Sequence, residues 1–144
     1  MASNRNSAGT STEYVIDIRE IDEQHERIFD ILDRIETVAE DLYRPLDDDE
    51  VDDALDIMGE LRECAREHFG TEEGYMEEAD YPALDDHRAA HEKFIDDLIR
   101  MEGELLNGSS VPPVKIHAFL AESCREHILS MDSPFGDFYN KIKK

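Results

Sequence analysis

The sequence predicts an all-α protein that folds as an up-down-up-down four-helix bundle. Apolar residues recur every three or four positions in four separate blocks, which is the pattern of helices with one buried face. The blocks are dense in Leu, Ile, Ala, Glu, Asp and Arg, a composition that favours helix over strand. The 144 residues suit one domain. We therefore predict a disordered tail over residues 1–13 and a bundle over residues 14–144, with short loops between antiparallel neighbours.

The first two helices are defined by long apolar stripes. The first stripe consists of Ile21, His25, Ile28, Leu32, Ile35, Ala39 and Leu42. It is expected to end near Arg44-Pro45, where an acidic loop follows. The second stripe consists of Val51, Leu55, Met58, Leu61, Ala65, His68, Glu72 and Met76. A break is predicted over residues 80–82, with Pro82 in the first turn of the next helix.

The last two helices follow the same spacing. The third stripe consists of Leu84, His87, His91, Phe94, Leu98, Met101 and Leu105. A loop is predicted over residues 107–110, and Pro112-Pro113 opens the fourth helix. Its stripe consists of Leu120, Cys124, His127 and Met131, and residues 133–136 are expected to stop it. All four stripes have a period of about 3.5 residues, which is typical of left-handed bundles.

The net charge limits the classes of partner. It is −22, from 37 acidic and 15 basic residues. A polyanion of this kind is repelled by phosphates and by anionic lipids, which excludes nucleic acids and membranes as expected partners. The acidic surface fits either adaptation to high salt or an ordinary well-solvated exterior.

The cellular location of the protein and the state of its cysteines are predicted from signals that the sequence lacks. No stretch approaches the ~18 apolar residues that span a bilayer, and residues 1–12 lack the apolar core of a signal peptide. We therefore expect a cytoplasmic protein, with a monomer favoured. Cys64 and Cys124 do not make a disulfide framework. We interpret both as buried small hydrophobes, with a redox-sensitive thiol as the alternative.

Polar residues on the apolar stripes are the most informative feature. Seven such positions are candidate metal ligands, namely His25, His68, Glu72, His87, His91, His127 and Asp132. Burying an unpaired imidazole or carboxylate costs several kcal/mol, a cost that a bound metal offsets for all of them together. The pairs His68/Glu72 and His87/His91 are spaced i,i+4, which places their side chains on one helical face.

The bundle topology predicts that these groups meet. They lie near the start of the first and third helices and near the end of the second and fourth, so antiparallel packing brings them to one end of the bundle. A single interior histidine is more often an ordinary core residue, but five in one layer favour a metal site. Five imidazoles and two carboxylates are too many for one tetrahedral zinc. They suit two six-coordinate first-row metals that share bridging carboxylates, with iron, manganese and zinc all open from the residues alone.

Several motifs together resemble the bacterial members of the hemerythrin family. They are Ile21-Asp22-Glu23-Gln24-His25, His68-Phe69-Gly70-Thr71-Glu72-Glu73 with Met76, Tyr81-Pro82 before His87-x-x-x-His91, and His127-Ile128 with Asp132. The resemblance covers about residues 14–140 and every candidate ligand. It implies a non-haem di-iron centre in which His87, His91 and His127 bind one iron, and His25 and His68 the other. It implies bridges from Glu72, Asp132 and an oxo or hydroxo group, and an open position for O2 on the two-histidine iron.

The resemblance also implies an oxygen pocket. Ile28, Phe69, Ile128 and Leu129 match family positions that line it. Many relatives carry Trp in the turn before the last histidine, where this chain has Ser123 and Cys124. Small side chains there are expected to open a path to solvent and to speed autoxidation.

Three functions follow as hypotheses. The first is reversible O2 binding for storage, transport or scavenging, with NO, azide or other small anions as further ligands. The second is a sensor of O2, NO or iron. The third is a di-iron redox enzyme acting on peroxide or NO. Ferritin-like oxygenases rely mostly on carboxylates, so a site with five histidines favours the binding protein over an enzyme.

Overall fold

The structure is a computed structural model that describes residues 15–108 and 111–143. The helices are α1 (Arg19–Arg34), α2 (Asp48–Glu78), α3 (Leu84–Leu106), α4 (Pro113–His127) and α5 (Ser133–Lys143). A 3-10 turn, Ile35–Thr37, follows α1, and a π turn, Ile128–Asp132, joins α4 to α5. No strand occurs within the described ranges. The tail predicted over residues 1–13 lies outside them.

The helices form the predicted four-helix bundle. α2 packs against α1 and α3, and α4 packs against α1 and α3. Cross-helix pairs show that α1 and α2 are antiparallel, since Gln24 contacts Thr71 while Arg34 contacts Glu60. The remaining neighbours alternate in the same way, and α4 with its π turn and α5 forms the fourth helix.

The first helix is shorter than predicted. The apolar stripe was expected to continue to Leu42, but α1 ends at Arg34 and the helical backbone ends after one 3-10 turn. The hydroxyl of Thr37 donates to the carbonyl of Arg34 at 2.6 Å, which competes with helix continuation. The carbonyl of Leu42 then accepts from the amide of Val114. The apolar residues of this segment therefore pack as a crossing loop at the start of α4.

The second helix begins with a capping box. Asp47 accepts from the amide of Glu50, and Glu50 accepts in return from the amide of Asp47. This pair satisfies amides that the first helical turn leaves without partners. Arg44 donates to both carboxylate oxygens of Glu50, at 2.8 and 2.7 Å. The predicted acidic loop is therefore the ordered start of α2.

The helix predicted to stop at residues 133–136 instead continues as α5. Pro134 lies in the first turn of α5, directly after the π turn, where the regular i→i+4 hydrogen-bond pattern is already interrupted. Gly136 allows the backbone of Ile16 to approach α5 closely, because a Cβ at this position would lie 2.7 Å from the carbonyl oxygen of Ile16. Asn140 donates to that same carbonyl at 3.2 Å. The segment before α1 is therefore held against α5.

Two apolar clusters lie on either side of one polar layer. The larger cluster fills most of the bundle and includes Leu32, Met58, Leu98 and Leu120. The smaller cluster closes one end and consists of Ile16, Ile18, Ile21, Met76 and Phe135. The two clusters cover the polar layer from both ends of the bundle. No helix in the described part of the chain is long and apolar enough to cross a bilayer.

Candidate metal centre

All seven residues predicted as ligands lie in the polar layer between the two clusters. Glu72 and Asp132 are completely buried. Four of the histidines are buried as well, namely His25, His68, His87 and His91. His127 is slightly more open, with 17% of its side chain exposed. Burial of so many polar groups requires a compensating partner.

Each carboxylate divides its two oxygens between two histidine groups. Oε1 of Glu72 lies 3.0 Å from Nε2 of His91, and Oε2 lies 3.7 Å from Nε2 of His68. Oδ1 of Asp132 lies 2.9 Å from Nε2 of His87, while Oδ2 lies 3.0 Å from Nε2 of His25. This is the arrangement that two carboxylates need in order to bridge two metal ions.

The donor atoms form two overlapping groups. One group contains His87, His91, His127, Glu72 and Asp132. The other contains His25, His68, Glu72 and Asp132. Within each group the donor atoms lie within 4.8 Å of one another. The two carboxylates belong to both groups, so the site offers two adjacent metal positions.

All five histidines of the polar layer turn the same ring nitrogen inward. In all five, the contact to a bridging carboxylate is made by Nε2. Nε2 of His127 lies 3.0 Å from Asp132 but makes no hydrogen bond, and Oε2 of Glu72 also has no hydrogen-bond partner within the described residues. Unpaired buried donors and acceptors that converge on one point are what a metal pair would satisfy. The residues therefore fit a binuclear metal site.

The π turn between α4 and α5 positions Asp132. In a continuous α-helix, residues five apart are offset by about 140°, which would turn Asp132 away from His127. A π turn has i→i+5 hydrogen bonding and is frequent at functional sites. Here it places both side chains on the inner face. The helix end predicted at residues 133–136 is therefore not what positions Asp132, since the π turn continues directly into α5.

The electrostatics of the layer favour the neutral, metal-binding form of two histidines and the charged form of a third. Burial lowers the pKa of His91 to about 3 and that of His68 well below its usual range. Both are therefore neutral at physiological pH, which is the form that binds metals. Burial alone would lower the pKa of His127, but Asp132 beside it raises it to about 10. Before metal binds, His127 and Asp132 therefore form a buried ion pair.

The pKa values of the two bridging carboxylates are shifted in opposite directions. Burial, together with the charge of Asp132, raises the pKa of Glu72 well above its usual range. Burial also opposes ionisation of Asp132, but the charge of His127 and hydrogen bonds from the surrounding histidines hold its pKa well below the usual range. Burial and mutual repulsion therefore oppose the simultaneous ionisation of both carboxylates. Ionising both requires additional positive charge, which a metal supplies.

Two histidines have outer hydrogen-bond partners that the sequence analysis did not assign. Nδ1 of His68 lies 2.8 Å from Oε1 of Gln24, and Nδ1 of His91 lies 2.7 Å from Oε2 of Glu73. Such partners orient the ring and fix its tautomer. Both adjoin a predicted ligand in sequence, since Gln24 precedes His25 and Glu73 follows Glu72. This position next to a predicted ligand was the only feature of the sequence that could have identified them.

A cavity of about 260 Å³ lies beside the layer. Its inner walls are apolar and include Ile28, Phe29, Ala65, Phe69, Phe94 and Ile128. It reaches His25, His68, His127 and Asp132, but its lining does not include His87 or His91. The cavity therefore reaches both histidines of the two-histidine group but only one, His127, of the three-histidine group.

Five of the six predicted pocket residues line this cavity, namely Ile28, Phe69, Ser123, Cys124 and Ile128. Leu129 does not, and it is 43% exposed. Successive helical residues point about 100° apart. Because Ile128 faces inward, its neighbour Leu129 is turned toward solvent.

The cavity reaches the surface between α3 and α4. Lys93, Glu126 and Ser130 line it and are exposed, and Asp97 joins them at the same opening. We refer to these four residues as the mouth. Lys93 donates to Asp97 at 2.8 Å. Small side chains at Ser123 and Cys124 leave the route between mouth and metal layer open.

The remaining candidates lie outside the metal layer. Cys64 and Cys124 are both free and buried, but only Cys124 lines the cavity. The sulfur of Cys64 instead lies 3.7 Å from the guanidinium of Arg27. Nε2 of His117 lies 3.0 Å from Oδ1 of Asp33. His117 belongs to neither donor group.

Comparison with known proteins places the chain in a family. The family model "Hemerythrin HHE cation binding domain" matches residues 16–138. A bacteriohemerythrin of Clostridium acetobutylicum is 28% identical over 127 residues, which cover 87% of this chain and 95% of the relative. A bacteriohemerythrin of Stenotrophomonas maltophilia is 27% identical over 122 residues, covering 85% of this chain and 74% of the relative. Hemerythrin subunit 1 of Golfingia vulgaris is 40% identical over 53 residues, covering 37% and 46%. Because the family model spans most of the sequence, the chain belongs to the hemerythrin family.

Proposed function

We propose that this protein binds O2 reversibly at a non-haem di-iron centre, for oxygen storage, transport or scavenging. The observation that carries the proposal is the sharing of Glu72 and Asp132 between a three-histidine and a two-histidine group. Family membership supports iron as the metal and O2 as the ligand. Cytoplasmic location and a monomeric state stay predictions from the sequence.

The residues divide between two metal positions. His87, His91 and His127 would hold one iron, and His25 and His68 the other. Glu72 and Asp132 would bridge them, together with an oxo or hydroxo group. A pair of ferrous ions, when bound, supplies the two electrons that O2 takes up. Fewer protein ligands on the two-histidine side leave room for an external ligand there.

The cavity supports O2 entry on that side. It borders His25 and His68, and its inner wall is formed by apolar side chains such as Ile28, Phe69 and Ile128. An apolar wall admits a small neutral molecule and holds water poorly. The opening at the mouth provides the path that we expect from the small residues Ser123 and Cys124.

The same wall favours release of O2 over its reduction. Cleavage of an O–O bond needs protons, and the apolar side chains of the inner wall carry no acidic group. The nearby Cys124 is a weak donor because burial raises the pKa of its thiol to about 12. The apolar inner wall therefore supports a binding protein over a redox enzyme.

The proposal is tested by the absorption spectrum of anaerobically reduced, iron-loaded protein before air, after air and after removal of O2. We expect near-ultraviolet and visible bands that appear in air and vanish on deoxygenation. Direct and irreversible conversion to a ferric form would overturn the proposal. His117→Gln is the matched control, because it removes a histidine that pairs with Asp33 outside the metal layer. This variant is expected to behave as the parent does.

A further inference from the structure

The outer partners of the two histidine groups differ in charge. His91, in the three-histidine group, faces the carboxylate of Glu73 at 2.7 Å. His68, in the two-histidine group, faces the amide oxygen of Gln24 at 2.8 Å. Both distances are short hydrogen bonds. The geometry is therefore alike on the two sides, and the partner's charge distinguishes them.

Glu73 is held so that one oxygen serves His91. Arg88 donates to Oε1 of Glu73 at 3.3 Å, which leaves Oε2 for the imidazole. The same guanidinium donates to Glu77 at 3.3 Å. Because a carboxylate only accepts hydrogen bonds, Nδ1 of His91 carries the proton and Nε2 keeps its lone pair toward the metal layer.

Gln24 is oriented by a chain of hydrogen bonds. The hydroxyl of Thr71 donates to the carbonyl of Glu67 at 3.1 Å. The amide nitrogen of Gln24 donates to the oxygen of Thr71 at 3.2 Å, which turns its carbonyl oxygen toward His68. His68 is thus fixed in the same tautomer as His91, but by a neutral group.

We propose that Glu73 is a positioning residue that makes the two metal positions unequal, with the three-histidine position held more tightly and made more electron-rich. The inference rests on the proposed di-iron function. A hydrogen bond from imidazole to a carboxylate is stronger than one to a neutral amide. It raises the basicity of the ring and hence its strength as a ligand. Gln24 gives His68 orientation without this charge.

This inequality fits the position of the cavity. The cavity borders His68 and His25, the group with the neutral outer partner. The position that exchanges an external ligand is then the less strongly coordinated one. At the other position, His127 lines the cavity but His87 and His91 do not, and His91 carries the charged support of Glu73.

Two reciprocal substitutions test the proposal. Glu73→Gln keeps a hydrogen-bond acceptor of the same shape and removes the charge, whereas Gln24→Glu adds a charge on the other side. Glu77→Gln is the matched control, because Glu77 lies one turn further along α2 and contacts Arg88 but not His91. Two quantities are measured in each protein: the release of iron from the reduced protein to a ferrous chelator, and the midpoint potential of the centre.

In Glu73→Gln we expect one of the two irons to be released up to about 10-fold faster, because the hydrogen bond is kept and only its charge is lost, whereas complete loss of an outer partner typically costs about 10- to 100-fold. The midpoint potential should rise, because less electron density stabilises the ferric state. Gln24→Glu should lower the potential and slow the release of the other iron, and Glu77→Gln should match the parent.

Parent-like release and potential in both Glu73→Gln and Gln24→Glu would overturn the proposal. So would an equal shift in Glu73→Gln and Glu77→Gln, since that would reflect surface charge alone. Failure of the di-iron function is distinguished beforehand by iron analysis of the parent protein, which would then contain fewer than two irons per chain.

Discussion

The π turn at Ile128–Asp132 brings the carboxylate of Asp132 to 3.0 Å from Nε2 of His127 and 3.0 Å from Nε2 of His25. Asp132 thereby connects the first and fourth helices of the bundle at the metal layer. It also contacts His87 on α3. A single carboxylate thus contacts histidines of both donor groups, which is the basis of the first prediction.

Asp132→Asn is expected to reduce iron content from two per chain to one or none. An amide cannot supply two anionic oxygens to two metal positions, and it leaves His127 without its charge partner. Iron analysis of protein loaded under identical conditions measures this. Asp137→Asn, an exposed change on α5, is the control and should retain both irons. Full iron content in Asp132→Asn would show that Asp132 does not bridge.

Ser123→Trp is expected to slow autoxidation severalfold relative to the parent. Ser123 lines the cavity, so an indole there should fill part of its ~260 Å³ and obstruct the route for solvent. The rate is followed as loss of the oxygenated spectrum in air. Glu122→Trp places the same side chain at an adjacent position outside the cavity lining and should leave the rate unchanged. Equal rates in Ser123→Trp and the parent would contradict the path.

Asp97→Asn is expected to speed azide binding to the ferric centre severalfold at low salt and to leave O2 binding unchanged. The mouth carries one cation, Lys93, against the carboxylates of Asp97 and Glu126, so it repels anions but not neutral molecules. The difference should vanish near 1 M salt, where the Debye length is about 3 Å.

Stopped-flow absorption at several salt concentrations measures the azide rate. Asp86→Asn, exposed on the same helix, is the matched control. An azide rate that is the same for Asp97→Asn and the parent at low salt would count against entry through the mouth.

Gly136→Ala is expected to destabilise the fold by about 1–3 kcal/mol, because the new methyl group overpacks a close contact. Its Cβ would lie 2.7 Å from the carbonyl oxygen and 2.8 Å from the Cβ of Ile16. Gly74 lies inside α2, and a Cβ added there would have no neighbouring atom within 4 Å. Gly74→Ala is therefore the comparison. It should stabilise by about 0.5–1 kcal/mol, since Gly is unfavourable within a helix. Urea unfolding of both variants checks the opposite signs. Stabilisation by Gly136→Ala would contradict the packing of the Ile16 segment on α5.

Much of the fold and the candidate site could be predicted because the informative residues break a pattern. His68, Glu72 and His91 are polar at positions where the apolar period demands core residues. Antiparallel helices then leave only one end of the bundle where such positions meet. The spacing of apolar residues depends on each helix alone, so the buried face of each helix could be predicted without knowledge of the tertiary contacts.

The parts that were missed depend on contacts outside that period. The Leu42 segment has helix-like spacing, but it crosses to the start of α4, where its backbone hydrogen-bonds Val114. Helical periodicity does not distinguish such a loop from a helix. The π turn needs one more residue per turn than the period allows for. Gln24 and Glu73 lie at the edge of the buried faces, where polar residues are ordinary, so neither departs from the pattern.

Two metal positions that share Glu72 and Asp132 would be visible in a crystal structure of the iron-loaded protein with anomalous diffraction measured at the iron absorption edge. We predict two anomalous peaks in the polar layer, one beside His87, His91 and His127 and the other beside His25 and His68, with Glu72 and Asp132 between them. A single peak in that layer, or two peaks that share neither carboxylate, would contradict the account.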